Sequence, residues 1–485
     1  MRAIRLLTGS AGAGLILLGL LADRLLGGAP GLGPSQLGLI GLGALLGLAA
    51  VLPRRGILNL GLAMGAAVVA LALGEGVLRL VYAADFVAPY RLHPRYLHVL
   101  RPGVTRRFHH LPVNGGGTVT FHVNADGFRG APLRLRERQR RIVVYGDSFI
   151  EGEYAELADT FAVQLERCLA PHLPEGVEVI NAGVTAYGPD QACLRIEDEV
   201  ARLDPDLVVL AVFADNDFGD LVRDKIFRLD GDGRLRENHP RLSAKLRATW
   251  QHAESGLFLG KMLERARRAW RDPQGAMHGT PFGRMDTWLY DSRMEFAQYS
   301  SGDDEVRRLL EDFYDADVSL APDSRSARGK RALMEGVLAR IRASLDRQGK
   351  PFFLLVIPSP IDVVDGYDYG QVDLRKYPLY RRSALTDAVS EMAGRLGIPC
   401  LDLFPAFRAA GAGRLYLRGG DNHWNPAGQA LAARLMADLI LQPRAWRAAP
   451  GSPPPSPPAP TGPATGGAKP ARGARRASPG SRRGA

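Results

Sequence analysis

Cysteine is scarce in this sequence. Cys168, Cys193 and Cys400 lie far apart, with no Cys-x-x-Cys pair. Neither a zinc ribbon nor a dithiol redox centre is indicated, and an odd count leaves at least one thiol unpaired. The three read as small buried hydrophobes. A phosphate-binding loop is missing as well. Excess charge is also lacking where chemistry could sit, although the formal charge of the whole chain is +11. Residues 444–485 contribute +8 and residues 1–82 contribute +4, which leaves the body between them at −1. A near-neutral body is no electrostatic binder of polyanions, so no nucleic-acid partner is expected.

Long apolar runs, by contrast, fill the first 82 residues. Leu6 to Ala22, Leu37 to Leu52 and Ile57 to Gly74 are uncharged and rich in Gly, Ala and Leu. Each is near the lower length limit for crossing a bilayer, and three transmembrane helices are expected over 1–82. Gly43 with Gly47, and Gly61 with Gly65, have the small-residue spacing of close helix contacts. Arg2 and Arg5 precede the first run, and Arg54 and Arg55 separate the second from the third. The positive-inside rule then puts both in the cytoplasm and the rest of the chain on the periplasmic or extracellular side of the inner or plasma membrane. A signal peptide is the competing reading of the first run, but no small-x-small cleavage site follows it. At the other end, residues 443–485 are rich in Pro and Arg, have no apolar periodicity and read as a disordered basic tail.

From residue 141 onward, strand and helix patterns alternate. Apolar runs at 141–146, 177–181, 207–213, 352–357 and 399–403 read as buried strands. Helical spacing follows at 160–170, from Pro189, at 330–347, at 380–395 and from Pro426, with Asn425 as the cap of the last helix. Continuous Val, Leu and Ile runs alternating with amphipathic helices predict a parallel sheet covered on both faces, over 141–442. Residues 218–329 break the alternation and read as a helical insertion, either a lid beside the strand ends or a structural excursion. Residues 83–140 suggest a small β-containing segment linking membrane and body.

The strand ends carry the chemistry, where parallel sheets bind ligands. The first ends in "GDSF" with Ser148, the second in "NAGVTAYG" with Gly183, and the third in "ADNDFGD" with Asn216. "GGDNHWNPAGQ", with Asp421 and His423, precedes the last helix. A hydroxyl, a glycine N–H, a carboxamide and a carboxylate–imidazole pair are the parts of nucleophilic acyl transfer. Asp147 and Asp217 read as loop braces. His109, His110 and His122 read as surface or edge-strand residues with no metal assigned, and Trp424 either lines the pocket or packs beneath it.

These four blocks, in this order, resemble the SGNH (GDSL) hydrolase superfamily, in the manner of bacterial membrane-anchored members. The family's serine, glycine, asparagine and histidine match Ser148, Gly183, Asn216 and His423. The resemblance spans roughly 120 to 442, including "NADGFRG" upstream, and implies a three-layer α/β/α, flavodoxin-like fold. This chain departs from the pattern twice. Ala214 replaces a glycine, and Gly420 stands where the family aspartate usually lies, so Asp421, two positions before His423, takes its role. Residues two apart in extended backbone point the same way, which would let Asp421 reach the imidazole.

The resemblance implies a serine esterase with Ser148, His423 and Asp421 as catalytic residues, and an oxyanion hole from Ser148, Gly183 and Asn216. No cofactor and no metal is implied. The expected substrate is an acylated saccharide or small acyl ester. Two alternatives stay open: an O-acyltransferase working with a partner membrane protein, and a non-catalytic protein that binds envelope polysaccharide.

Overall fold

The computed structural model describes residues 2–26, 34–110, 112–135, 139–238, 256–271, 314–367, 375–419 and 421–442. The tail expected at 443–485 lies outside these residues, as do 239–255 and 272–313 of the expected insertion.

Three apolar helices come first: α1 (Arg2–Leu26), α2 (Pro34–Val51) and α3 (Arg54–Phe86). Absent side chains let α1 and α2 approach closely. A Cβ built on Gly12 would stand 2.6 Å from the Gly43 carbonyl oxygen, and one on Gly43 would stand 2.5 Å from that of Gly12. Gly43 therefore serves a contact within the chain, while Gly61 and Gly65 on α3 face open space. By length and composition α3 is, among the described residues, the one helix that qualifies as a full membrane span, over Arg55–Asp85, with mean hydropathy 2.1 and an apolar stretch wholly unburied. Arg5–Leu21 and Gln36–Val51 are shorter apolar helices. At 1.5 Å per residue they reach about 25 Å, a little less than the ~30 Å hydrocarbon layer.

Past α3 the chain makes two antiparallel hairpins, β1 (Tyr90–His93) with β2 (Leu97–Leu100), and β3 (Thr105–His109) with β4 (Thr118–His122). Residues 83–140, read from the sequence as a small β-containing linking segment, carry these two hairpins, and Tyr90, Leu97, Leu100, Phe121, Val123 and Phe128 join one hydrophobic core with the main sheet. Asp85, near the end of α3, ties the second hairpin to the helix. Its carboxylate accepts from Arg107 Nη2 at 2.6 Å and pairs with His109 Nε2 at 2.7 Å.

The main sheet has five parallel strands: β5 (Arg140–Gly146), β6 (Val177–Gly183), β7 (Leu207–Ala214), β10 (Phe352–Pro358) and β11 (Cys400–Asp402). Their spatial order is β11-β10-β7-β5-β6. Successive side chains leave a strand on opposite faces. On β5, Val143 and Tyr145 pack with α6 (Pro189–Leu203) and the helices Arg325–Arg347 and Ala384–Arg395, while Ile142 and Val144 pack with α5 (Phe161–Leu169) and Pro426–Ile440. Two helical layers on one sheet give the expected α/β/α core. Helix 325–347 begins five residues before the predicted start, because the Ser324 hydroxyl accepts from the Ala327 N–H at 3.1 Å. Ala214 is fully buried at the end of β7 with an ordinary negative φ, so the methyl replacing glycine imposes no backbone strain.

The expected insertion starts with α7 (Asp217–Asp224) and a short hairpin, β8 (Phe227–Leu229) with β9 (Leu235–Glu237). Among the described residues its longest helix, Phe258–Arg271, packs on α3.

Arg129, from "NADGFRG", is buried beside the first strand end. Its guanidinium donates to the carbonyl oxygens of Glu151 and Ala155, each at 2.6 Å, and to that of Gly152. It also lies 4.7 Å from the centre of the Phe121 ring. Burial pushes its pKa down to about 10, although the neighbouring Glu151 and Glu153 oppose the shift. Replacing it by methionine would strand buried carbonyls, each worth roughly 1–3 kcal/mol when unsatisfied. Arg129→Met should therefore lower the unfolding free energy by ~3 kcal/mol in urea titration, well beyond a surface substitution.

Candidate active site

Ser148 opens a single helical turn, α4 (Ser148–Glu151), directly after β5. Asp147 caps the turn by accepting from the Phe149 N–H at 2.9 Å, and Gly152, with φ of 75°, ends it. The neighbouring strand end has to be bare. Gly183 pairs with Gly146 across β5 and β6, and a Cβ there would lie 2.3 Å from the Glu151 nitrogen. At the first position of a helix, the Ser148 N–H has no intrahelical acceptor and points outward.

The segment before the last helix brings the imidazole to this turn. His423 Nε2 lies 2.7 Å from Ser148 Oγ. Asp421 Oδ1 accepts from the His423 backbone N–H at 2.9 Å and meets its Nδ1 at 2.7 Å. With Nδ1–H directed at the carboxylate, Nε2 is the nitrogen left to accept the serine hydroxyl. The ring sits between Phe149, 4.9 Å away between centroids, and Tyr154, at 5.1 Å. Trp424 is buried beneath, donating from Nε1 to the Phe149 carbonyl at 3.0 Å, so it supports the site from below. Asn425 caps the last helix, accepting from the Ala427 and Gly428 N–H groups.

Burial disfavours a charged Asp421, yet the adjacent imidazole and its two hydrogen bonds outweigh that and bring the pKa down to about 2. For His423 burial works against protonation. The charge and hydrogen bond of Asp421, helped by Asp147 and Glu153, reverse it and leave the pKa above the ordinary value. Burial, reinforced by the charge of Asp220 for Asp147 and of Glu151 and Asp421 for Glu153, drives both up to about 7.

Asn216 lies just beyond β7, on the other side of β5 from Gly183, as the cap residue of α7. Its side chain makes no cap bond, and its amide oxygen is buried without a hydrogen-bond partner. Gly183 also stands at the site, but its N–H is donated to Asn181 Oδ1 at 3.0 Å. The structure thus brings Ser148, His423 and Asp421 into one hydrogen-bonded line, with Gly183 and Asn216 on the flanking strand ends. Asp217 braces its loop as expected, accepting from the Phe213 N–H.

Several neighbours escaped sequence reasoning. Asn114, between β3 and β4, donates from Nδ2 to Asp421 Oδ2 at 3.4 Å. Tyr154 acts on the same carboxylate, and its ring packs on His110 at 4.4 Å as well as on His423. His110, read from the sequence as a surface or edge-strand residue, directly follows β3 and is half-buried, and burial lowers its pKa. Tyr154 follows the serine by six positions within one conspicuous stretch, so proximity was its available signal. Nothing in "LPVNGGG" marks Asn114. Among the described residues, no group of three or more His, Cys, Asp or Glu is arranged to hold a metal ion.

Removing the carboxylate charge leaves burial as the dominant influence on His423. In Asp421→Asn, the His423 pKa should drop below the ordinary imidazole value. NMR titration of the ring nitrogens, with His423→Gln to assign the signal, checks this. An unchanged titration would show that the pair is not electrostatically coupled.

Comparison with known proteins gives one family match, a model described as the SGNH hydrolase-like domain of the acetyltransferase AlgX, over residues 311–470. That stretch includes Asp421 and His423 but neither Ser148 nor Asn216. No curated protein sequence matches. Solved structures that align include a lipase/acylhydrolase from Enterococcus faecalis, at 14% identity and TM-score 0.29, over 62% of this chain and 95% of that one. The acetyl xylan esterase AlAXEase aligns at 15% identity and TM-score 0.30, over 62% of this chain and 100% of that one. A catalytic mutant of Axe2, an acetylxylan esterase from Geobacillus stearothermophilus, aligns at 13% identity and TM-score 0.30, over 62% and 94%. The family match is thus to an SGNH hydrolase-like domain over about a third of the chain, the part that holds Asp421 and His423, while the blocks with Ser148, Gly183 and Asn216 lie outside it at the ends of β5, β6 and β7.

Proposed function

We propose that this protein is a membrane-attached serine esterase that acts outside the cytoplasm on acyl esters, with O-acetyl groups of envelope saccharides as its substrate class. The observation that carries the proposal is the 2.7 Å approach of His423 Nε2 to Ser148 Oγ, continued through Nδ1 to Asp421. In this reading His423 takes the serine proton as Oγ attacks the ester carbonyl. Asp421 holds the tautomer and stabilises the imidazolium that forms. Because the imidazole is then charged, a buried anion beside it is worth more in the transition state than in the resting state.

The oxyanion falls to the Ser148 N–H and the Asn216 carboxamide. Gly183 joins them only if its N–H turns from Asn181. Each lost donor of this kind raises the barrier by ~2.7–4 kcal/mol. The imidazolium returns its proton to the leaving alcohol, and water, activated by the same nitrogen, releases the acid. Membrane attachment is supported by the long unburied apolar stretch of α3. The outward orientation rests on Arg2, Arg5, Arg54 and Arg55 flanking the apolar runs.

Acyl transfer to a sugar hydroxyl is a second reading, favoured by the acetyltransferase named in the family match over the residues that hold Asp421 and His423. The two readings share the acyl-enzyme and differ only in the acceptor.

Ser148→Ala should abolish labelling by a fluorophosphonate probe and reduce aryl acetate turnover by on the order of 10⁴-fold or more. Labelling that survives the substitution would overturn the assignment. Mass analysis of an oligosaccharide incubated with enzyme and aryl acetate separates the readings, since an acetylated sugar marks transfer and free acetate alone marks hydrolysis.

A further inference from the structure

The helix Phe258–Arg271 is the part of the insertion for which the active site has no use. It begins against α3 at Glu75, whose two carboxylate oxygens accept from the Phe258 N–H at 2.9 Å and the Leu259 N–H at 3.0 Å. Those N–H groups are among the donors a helix start leaves open, and a carboxylate there also complements the helix dipole. Arg79, paired with Glu75, stands 5.2 Å over the Phe258 ring. Phe258, Leu259 and Met262 are half-buried on this side.

Beyond the docking point the apolar stripe runs on along the helix and is left open. Leu263, Ala266, Arg267 and Trp270 are all exposed, Leu263 at 63% and Trp270 at 85%. Their spacing of three, four and seven residues puts them on one helix face. The sequence of the helix carries Lys261, Arg265, Arg267, Arg268 and Arg271 against Glu264 alone. An apolar stripe with tryptophan, set among basic residues, is the composition of a helix lying in a membrane interface.

Its level along α3 agrees. The uncharged run Ile57–Gly74 spans about 27 Å as helix, close to the ~30 Å hydrocarbon layer. Glu75 is the next residue, so the docking point falls where α3 would leave the hydrocarbon. On α3 itself, Leu71, Leu73 and Val77, close in sequence to Glu75, are exposed as well. A protein partner would need neither that level nor an excess of basic residues, whereas an anionic bilayer surface fits both.

We propose that Phe258–Arg271 is an interfacial helix, seated with Leu263, Ala266 and Trp270 in the headgroup boundary of the bilayer that α3 crosses, with its basic residues meeting anionic lipid headgroups. This rests on the membrane attachment proposed above but not on the serine chemistry. The helix would hold the catalytic body at a set height and orientation over the membrane, with α3 as one support and the interfacial helix as a second.

The test uses the full chain in vesicles of phosphatidylcholine and phosphatidylglycerol, with part of the phosphatidylcholine brominated either near the headgroup end or near the tip of its acyl chains. Shallow bromines should quench the tryptophan emission more than deep ones, and Trp270→Phe should remove most of that difference. Replacing phosphatidylglycerol by phosphatidylcholine should weaken the shallow quenching. Equal quenching in wild type and Trp270→Phe, with both floating alongside the vesicles, would overturn the interfacial helix alone. Failure of the wild-type chain to float with vesicles would overturn membrane attachment, and this inference with it. Neither result touches the esterase assignment, which is read by probe labelling.

Discussion

The architecture depends on how tightly a short turn is held at the end of a buried strand. Gly183 clears the space on one side, since any side chain there would collide with the backbone of Ile150 and Glu151. Arg129 collects the carbonyls at the far end of the turn, and Asp147 collects an N–H at the near end. Tyr90 donates to the Glu151 carboxylate, which also accepts from the Thr185 N–H. A hydroxyl on such a turn loses little further freedom when it reacts, which is how a rigid sheet contributes to a barrier.

Charge around this turn is arranged in layers. Asp421 is held ionised by the imidazole and its hydrogen bonds, and Asn114 and Tyr154 act on the same carboxylate. Asp147 and Glu153 are pushed toward neutrality by burial. One low and two raised carboxyl groups near a single imidazole mean that Asp421 stays ionised through the neutral range, in which Asp147 and Glu153 change charge.

The hairpin β3–β4 connects the candidate site to the apolar N-terminal helices of the chain. Asp85 on α3 grips Arg107 and His109 on β3, and the loop after β3 supplies His110 and Asn114 to the site. The linking segment also forms a wall of the candidate active site, packed into the main core through Phe121, Val123 and Phe128. The carboxylate that orients the imidazole is thereby mechanically close to α3.

Periodicity in the sequence was enough to determine the five strands, the helices between them and the strand ends that carry Ser148, Gly183 and Asn216. Local signals of that kind, apolar runs and turn residues, act over a few positions. Asp421, too, was legible, because two-residue spacing in extended backbone directs both side chains one way. Tertiary structure decided the rest. Whether His423 meets Ser148, 275 positions away, depends on the intervening chain folding back. Asn114 has no local mark at all, since its contact with Asp421 spans 307 positions. Composition likewise shows that Phe258–Arg271 is amphipathic, but which part of its apolar stripe is covered was decided only by its docking at Glu75 on α3. Backbone propensity is a local property, whereas contact between distant side chains comes from packing the whole core, and no stretch of sequence contains it by itself.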